Sequence, residues 1–204
     1  VTAAEIEHLS ARFDAIAAEL ERHVDLSALL QLSADVPCHE PTEKQKDVAA
    51  RCRIAVAMDQ AFSFYYQDNL DELMAAGAEL RYFSPLNDRV LPEADGLYLG
   101  GGYPELHLSR LSQNETMRES IRCAIENGMP TVAECGGFLY LQSALKDENG
   151  TQWPMVGALG GTGYGTDRLQ RFGYLTLTGA RDSLLLRAGE AVPAHEFHYW
   201  DCTD

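Results

Sequence analysis

Hydrophobic and polar positions follow two different patterns along this chain. In residues 1–34, apolar side chains recur at three- and four-residue steps, with charged residues between them: Ile6, Leu9, Phe13, Ile16 and Leu20. This spacing predicts an amphipathic helix. The run 25–30 predicts a second short helix capped by Asp25. Because this part contains no strand pattern, we interpret it as a helical appendage that cannot form half of an α/β unit by itself.

A strand and helix alternation begins at residue 53. Short apolar runs predict buried strands at 54–58, 79–83, 96–99 and 131–133, and amphipathic runs predict helices at 66–76 and about 114–126. This order is typical of a parallel sheet flanked by helices. The intervening residues 35–51 are polar and contain Pro37 and Pro41, which is a linker composition. We therefore place a boundary there, with the main domain at 52–204.

Beyond residue 145 the helical periodicity disappears. Segment 172–178 indicates a half-exposed strand, 156–159 a short strand or an extended segment, and 183–186 and 190–200 are candidates for further strands; we expect the late strands to be antiparallel. The glycine-rich stretch 160–165 departs from GxGxxG and does not join a strand to a helix, so we interpret it as a loop and not a dinucleotide site. Because the chain stops soon after the last strand, we expect the α/β domain to be truncated at its carboxyl end.

Composition narrows the class of protein. The chain has 204 residues, 46% hydrophobic and 23% charged, as in soluble globular proteins. Its formal net charge of −15 argues against nucleic acid or an anionic membrane as a partner. The sequence contains neither an apolar run long enough for a membrane span nor a signal-peptide layout. Five cysteines without a CxxC pair favour free thiols in a reducing, cytoplasmic setting.

The strongest candidate chemistry lies at Cys135. A buried strand at 131–133 leads through Glu134, Cys135, Gly136 and Gly137 into a helical run, which is the layout of a nucleophile elbow. We expect the helix amino terminus to lower the pKa of the thiol and to present N–H groups to an oxyanion. The alternative is a buried structural cysteine.

A triple glycine at 100–102 follows another strand of the predicted sheet, at the edge where such folds bind ligands. It lacks the Lys-Ser/Thr ending of a phosphate-binding loop, so we do not predict a nucleotide there. Its backbone N–H groups could complete an oxyanion hole with Gly136. The alternative is an ordinary tight connection between a strand and a helix.

A thiol nucleophile needs a base, and the histidines are the candidates. His107 is near the glycine loop and could line a site. His195 and His198 occur in the late stretch His-Glu-Phe-His, where a strand would place them on opposite faces. A His–His metal pair is a competing interpretation, but that spacing suits a helix better, and we predict no metal.

Six segments together resemble one family. The segments 57–66, 69–70, 83–86, 100–105, 133–137 and 195–199 are similar to the C-terminal glutaminase domain of the cobyrinic acid a,c-diamide synthases, within the class I (triad) glutamine amidotransferases. The resemblance implies a flavodoxin-like parallel sheet. Residues 1–34 resemble the end of the same family's ATP-dependent synthetase domain, and the last strands of the glutaminase domain are expected to be missing.

The resemblance also implies roles for single residues. Cys135 is expected to be the nucleophile, His198 the base, and Gly101, Gly102 and Gly136 the oxyanion or substrate-binding donors. Full-triad relatives carry Glu two positions after the catalytic His, where this chain has Trp200. The group that orients His198 therefore stays open, with Glu196, Asp201 or a backbone carbonyl as the candidates, and His195 is the alternative base.

The implied reaction is hydrolysis of L-glutamine through a glutamyl thioester. Its ammonia would pass to the synthetase domain of the same polypeptide, which uses ATP and Mg²⁺ to amidate the a- and c-acetate side chains of a corrin, cobyrinate. We expect no cofactor in this chain itself. Hydrogenobyrinate as the substrate, another cysteine amide hydrolase and a non-catalytic binding domain are the alternatives.

Overall fold

A computed structural model describes residues 8–34 and 49–203 of the chain. Its contacts divide the chain into two compact units, Val1–Lys46 and Asp47–Asp204. The predicted linker at 35–51 falls mostly outside the described residues, as does the first turn of the predicted amino-terminal helix. The assignment of 1–34 to a synthetase remnant and of 52–204 to the amidotransferase domain stays a prediction.

The first unit consists of two helices in its described part. Helix α1 spans Leu9–His23 and α2 spans Leu26–Ala34. The Ala28 N–H donates to Asp25 Oδ1 at 3.0 Å, so Asp25 caps the start of α2 as predicted. The apolar side chains of the α1 stripe, Phe13, Ile16 and Leu20, are exposed.

A four-stranded parallel sheet organises the second unit. Its strands lie in the order β2-β1-β3-β4 and pair in parallel throughout: β1 Cys52–Ala57, β2 Ala78–Phe83, β3 Gly96–Leu99 and β4 Thr131–Ala133. This is the strand order of flavodoxin-like folds. The helices between or after these strands are α3 Gln67–Ala75, α4 Leu108–Gln113, α5 Glu115–Glu126 and α6 Gly136–Leu141. The predicted fold class is confirmed, although the sequence did not reveal α4.

A second sheet follows, and its layout differs from the prediction. It has the order β10-β7-β5-β6, from β5 Ala144–Lys146, β6 Gln152–Pro154, β7 Thr162–Gly165 and β10 Trp200–Cys202. The interpretation of 160–165 as a loop holds for 160–161 and was wrong for 162–165, which form β7. A Cβ at Gly163 would lie 2.5 Å from Leu145 Cδ2, so this glycine permits close packing of β7 on β5 instead of breaking the strand. Residues 156–159 form no strand.

The late antiparallel strands predicted from the sequence are present. Strands β8 Arg171–Thr178 and β9 Ala191–His198 pair as a two-stranded hairpin. Within the connection, the Ser183 N–H donates to Leu186 O at 2.8 Å, which makes 183–186 a turn and not the further strand that the sequence suggested. The hairpin brings the two late histidines onto one strand.

One hydrophobic core lies between the parallel sheet and its helices. Its fully buried members include side chains from β3, α4, α5 and α6: Leu99, Leu111, Met117, Ile121 and Tyr140. Packing on the core holds the carboxyl ends of β3 and β4 and the start of α6 in fixed positions.

Substitutions at two leucines of the same region should affect stability differently, because only one of them lies in the core. Leu111→Ala removes a side chain that is 0% exposed, whereas Leu106→Ala removes one that is 60% exposed. We expect the first change to lower the free energy of unfolding by about 2–5 kcal/mol. The second should change it by less than about 0.5 kcal/mol. Urea unfolding followed by circular dichroism measures both, and equal losses would contradict the described core.

Candidate active site

Cys135 occupies the turn between β4 and α6 in an unusual backbone conformation. Its φ of 49° and ψ of −112° lie outside the regions that non-glycine residues favour. Hydrogen bonds on both sides hold this conformation. The Glu134 N–H donates to Leu99 O at 2.9 Å, and the Leu139 N–H donates to Cys135 O at 3.0 Å. Such strain is characteristic of a nucleophile elbow, and it persists only where the surrounding structure enforces it.

The two glycine segments, residues 100–102 and 136–137, meet at this turn. The Gly137 N–H donates to Gly100 O at 3.0 Å. A Cβ at Gly136 would lie 2.8 Å from Gly102 O, and one at Gly137 would lie 2.2 Å from Leu99 O. Any larger residue at these positions would push the segments apart, so the glycines are required for the close approach.

Backbone donors converge on the thiol. The N–H groups of Gly136 and Gly102 lie near Cys135 Sγ, and hydrogen bonding from both lowers the pKa of the thiol. A Cβ at Gly101 would lie 3.7 Å from Cys135 Cβ, so this residue also lines the site. The structure thus brings the three glycines of the predicted oxyanion hole around Cys135, and their part in catalysis stays a prediction.

The pKa of the Cys135 thiol is raised and not lowered. Burial among the surrounding atoms is the largest cause, and the negative charges of Glu105 and Glu134 act in the same direction. Hydrogen bonds from Gly136 and Gly102 lower the pKa without cancelling these effects. The N–H of Gly136 at the start of α6 lowers the pKa as expected, but burial outweighs it and the net shift is upward. Cys135 nevertheless remains exposed, and a protonated thiol needs a base before it can attack.

His198 has its own set of partners at the end of β9. Its Nδ1 lies 2.6 Å from Trp200 O, and its Nε2 lies 3.1 Å from Glu196 Oε1. Both partners are acceptors, so a neutral ring can donate to only one of them. Two of the three orienting candidates, Glu196 and a backbone carbonyl, contact the ring. The third, Asp201, accepts a hydrogen bond from the Cys202 N–H.

His195 projects from the opposite face of β9, as the alternation predicted. Its ring contacts Tyr174 at 5.3 Å and Phe172 at 6.0 Å between centroids, and the residue is exposed. In residues 8–34 and 49–203, no hydrogen bond joins Cys135 to either His195 or His198. The structure therefore presents two groups, one around the thiol and one around His198.

His107 and a metal site are the remaining possibilities that the sequence raised. His107 Nε2 is buried, and none of the described residues is its hydrogen-bond partner. Throughout the described part of the chain, no group of three or more His, Cys, Asp or Glu side chains is arranged to hold a metal ion.

The sequence did not identify two residues that shape the glycine loop. The Tyr65 hydroxyl accepts from the Gly100 N–H at 2.9 Å and donates to Ala57 O, and burial raises the pKa of this tyrosine. The carboxylate of Asp59, two residues after β1, accepts four hydrogen bonds. Their position just after a buried strand, at the ligand-binding edge of a parallel sheet, was the available signal.

Comparison with known proteins identifies the family. The model of the CobB/CobQ-like glutamine amidotransferase domain matches residues 53–203. The chain belongs to this family. It is 43% identical over 197 residues to cobyrinate a,c-diamide synthase of Listeria innocua, covering 96% of this chain and 43% of that protein. The enzyme of the same name from Salmonella typhimurium is 43% identical over 188 residues, covering 91% of this chain and 41% of that protein.

The amidotransferase chain spans less than half the length of these curated relatives. Among solved structures it is similar to a Listeria monocytogenes protein provisionally assigned as a peptidase E, with 14% identity and a TM-score of 0.43. That match covers 56% of this chain and 66% of the other. No helix in the described part of the chain is long and apolar enough to cross a membrane.

The raised pKa of the Cys135 thiol can be tested by alkylation. Alkylation of Cys135 by iodoacetamide should reach half its limiting rate at a higher pH than alkylation of an unstructured peptide of the same local sequence, because only the thiolate reacts. Glu105→Gln should lower this midpoint, since it removes a charge that disfavours the thiolate. Glu148→Gln, in the turn between β5 and β6, is the matched control. Mass spectrometry of the Cys135 peptide gives the rates, and a wild-type midpoint at or below that of the peptide would contradict the prediction.

Proposed function

We propose that this domain hydrolyses L-glutamine at Cys135 and supplies the ammonia to a corrin amidation. The observation that carries the proposal is a strained elbow at Cys135 in a glutamine amidotransferase domain, with the backbone N–H groups of Gly102 and Gly136 beside the sulfur. Such donors stabilise the oxyanion that forms when a nucleophile attacks a carboxamide.

In the proposed reaction, Cys135 Sγ attacks the carboxamide carbon of glutamine and gives its proton to His198. The tetrahedral oxyanion forms beside the N–H groups of Gly102 and Gly136, with Gly101 lining the same loop. His198 returns the proton to the leaving nitrogen, so that the C–N bond breaks and ammonia departs. Water then attacks the glutamyl thioester, releases glutamate and restores the thiol.

The second part of the proposal concerns the destination of the ammonia. The names of the relatives and their greater length support a full-length enzyme in which a synthetase domain amidates the a- and c-acetate groups of cobyrinate. ATP and Mg²⁺ would be bound by that domain, because the present sequence contains no phosphate-binding P-loop. Residues 1–34 would be the end of the synthetase domain, and a cytoplasmic location would fit the free thiols.

The nucleophile can be tested in the full-length enzyme. Cys135→Ala should abolish glutamine-dependent amidation and leave ammonia-dependent amidation intact, because only the source of ammonia depends on the thiol. Cys123→Ala, which removes an exposed thiol on α5, is the control and should keep both activities. Product is measured by mass spectrometry of the corrin, with cobyrinate and hydrogenobyrinate offered separately.

The outcomes separate the alternatives. A glutamine-derived chloroketone should add to Cys135 of the wild type. Absence of both the adduct and glutamine hydrolysis would favour a binding domain, and hydrolysis of other amides in preference to glutamine would favour a different cysteine hydrolase. Glutamine-dependent amidation that survives Cys135→Ala would refute the assignment of the nucleophile.

The choice of base predicts unequal effects at the two late histidines. His198→Ala should lower kcat for glutamine hydrolysis by about 10²–10⁴-fold, the range for removal of a general base. His195→Ala should change kcat little, because that ring projects from the other face of β9. Glu196→Gln should give a smaller loss than His198→Ala, since the Trp200 carbonyl still contacts the ring. Steady-state ammonia release measures all three, and a larger loss at His195 would make it the base instead.

A further inference from the structure

The carboxylate of Asp59 links two loops at the carboxyl edge of the parallel sheet. Its Oδ1 accepts from the Ala61 N–H at 2.8 Å and the Phe62 N–H at 3.3 Å, within the loop that follows β1. Its Oδ2 accepts from Ser84 Oγ at 2.7 Å and the Leu86 N–H at 2.9 Å, in the loop that follows β2. Asp59 therefore fixes the shape of residues 59–64 and anchors them to a neighbouring element.

The far end of this loop, at Ser63 and Phe64, binds the glycine segment 100–102. The N–H groups of Ser63 and Phe64 both donate to Gly101 O, each at 3.1 Å. The loop also packs directly on the next residue, because a Cβ at Gly102 would lie only 2.0 Å from Ala61 O. Residues 59–64 thus hold both sides of the peptide bond between Gly101 and Gly102.

The orientation of that peptide bond decides what faces the thiol. A trans peptide directs its carbonyl and its N–H to opposite sides. With the Gly101 carbonyl bound to Ser63 and Phe64, the Gly102 N–H is on the opposite side of the peptide, where it acts on the Cys135 thiol and lowers its pKa. If the peptide rotated by half a turn, it would lose both hydrogen bonds and present a carbonyl oxygen where negative charge develops. Such a site would repel the oxyanion.

We propose that Asp59 is a positioning residue for glutamine hydrolysis, which keeps the Gly102 N–H directed at the reacting centre by holding residues 59–64 against the Gly101 carbonyl. This inference rests on the proposed function of Cys135. Asp59 does not contact the thiol and acts through the loop and one peptide bond. Its contribution should therefore appear in the stabilisation of the oxyanion and not in the binding of glutamine.

Asp59→Asn tests the proposal with little change in volume. In the wild type, each oxygen of the Asp59 carboxylate accepts from a backbone N–H. Whichever way the Asn amide turns, its NH₂ group therefore faces one of these N–H groups, and the loop loses part of its anchor. We expect kcat for glutamine hydrolysis to fall by about 10–100-fold, as for a misplaced catalytic group. KM should stay within about two-fold, because the interaction is made in the transition state. Ser84→Ala, which removes one of the bonds to Oδ2, should give a smaller fall in kcat.

Asp147→Asn is the matched control. Asp147 also accepts several N–H bonds in a loop, from Asn149, Thr151 and Trp153, but it lies between β5 and β6, outside the glycine segments. Its substitution should reduce thermal stability without changing kcat. Measuring the melting temperature of all variants separates a loss of folding from a loss of positioning.

Two probes of Cys135 distinguish oxyanion stabilisation from thiol reactivity. Glutamate γ-semialdehyde adds the thiol to its carbonyl and forms a tetrahedral adduct, so its inhibition constant in Asp59→Asn should rise by the same factor by which kcat/KM falls. Iodoacetamide reacts by direct displacement and needs no oxyanion hole, so its limiting alkylation rate at high pH should be unchanged. Equal losses with both probes, a rise in KM alone, or unchanged kcat in a folded Asp59→Asn would overturn the proposal. A wild type that neither hydrolyses glutamine nor binds the aldehyde would instead refute the proposed function of Cys135.

Discussion

The close approach of two glycine segments is the constraint on which the site depends. Strands β3 and β4 are adjacent and in register, with Leu99 opposite Ala133. The segments that follow them, 100–102 and 134–137, therefore turn side by side in a small volume. Gly136 and Gly137 meet this constraint because neither position has room for a Cβ. The strained conformation of Cys135, the start of α6 and the direction of the Gly102 and Gly136 N–H groups all follow from the crowding.

The same crowding has an electrostatic consequence. Surrounding a thiol with protein atoms costs its ionised form more than its neutral form, and the pKa of Cys135 rises despite its two N–H donors. The elbow therefore offers N–H donors for the proposed oxyanion, but its thiol stays protonated to a higher pH. A base must come from another element, and under the proposed mechanism His198 has to exchange one of its present acceptors, Glu196 or Trp200 O, for the sulfur.

The parallel sheet could be predicted from the sequence because each strand is a short apolar run with helical or turn residues on both sides. The second sheet could not be predicted in the same way. Its strands are three or four residues long and contain Gly163, Pro154 and Trp153, which have no alternating pattern. Pairing between segments distant in sequence, such as 162–165 with 200–202, stabilises these strands, and local propensity carries little information about it.

The candidate site shows a similar division between side chains and backbone. Cys135, its glycines and the two late histidines could be found from the sequence because their chemistry belongs to residue types at fixed local spacing. The Trp200 carbonyl that contacts His198 and the Gly101 carbonyl held by Ser63 and Phe64 are backbone groups that every residue possesses. Only the fold decides which way such groups point. Asp59 matters for the same reason, since its carboxylate acts on backbone N–H groups and fixes an orientation that no residue type encodes.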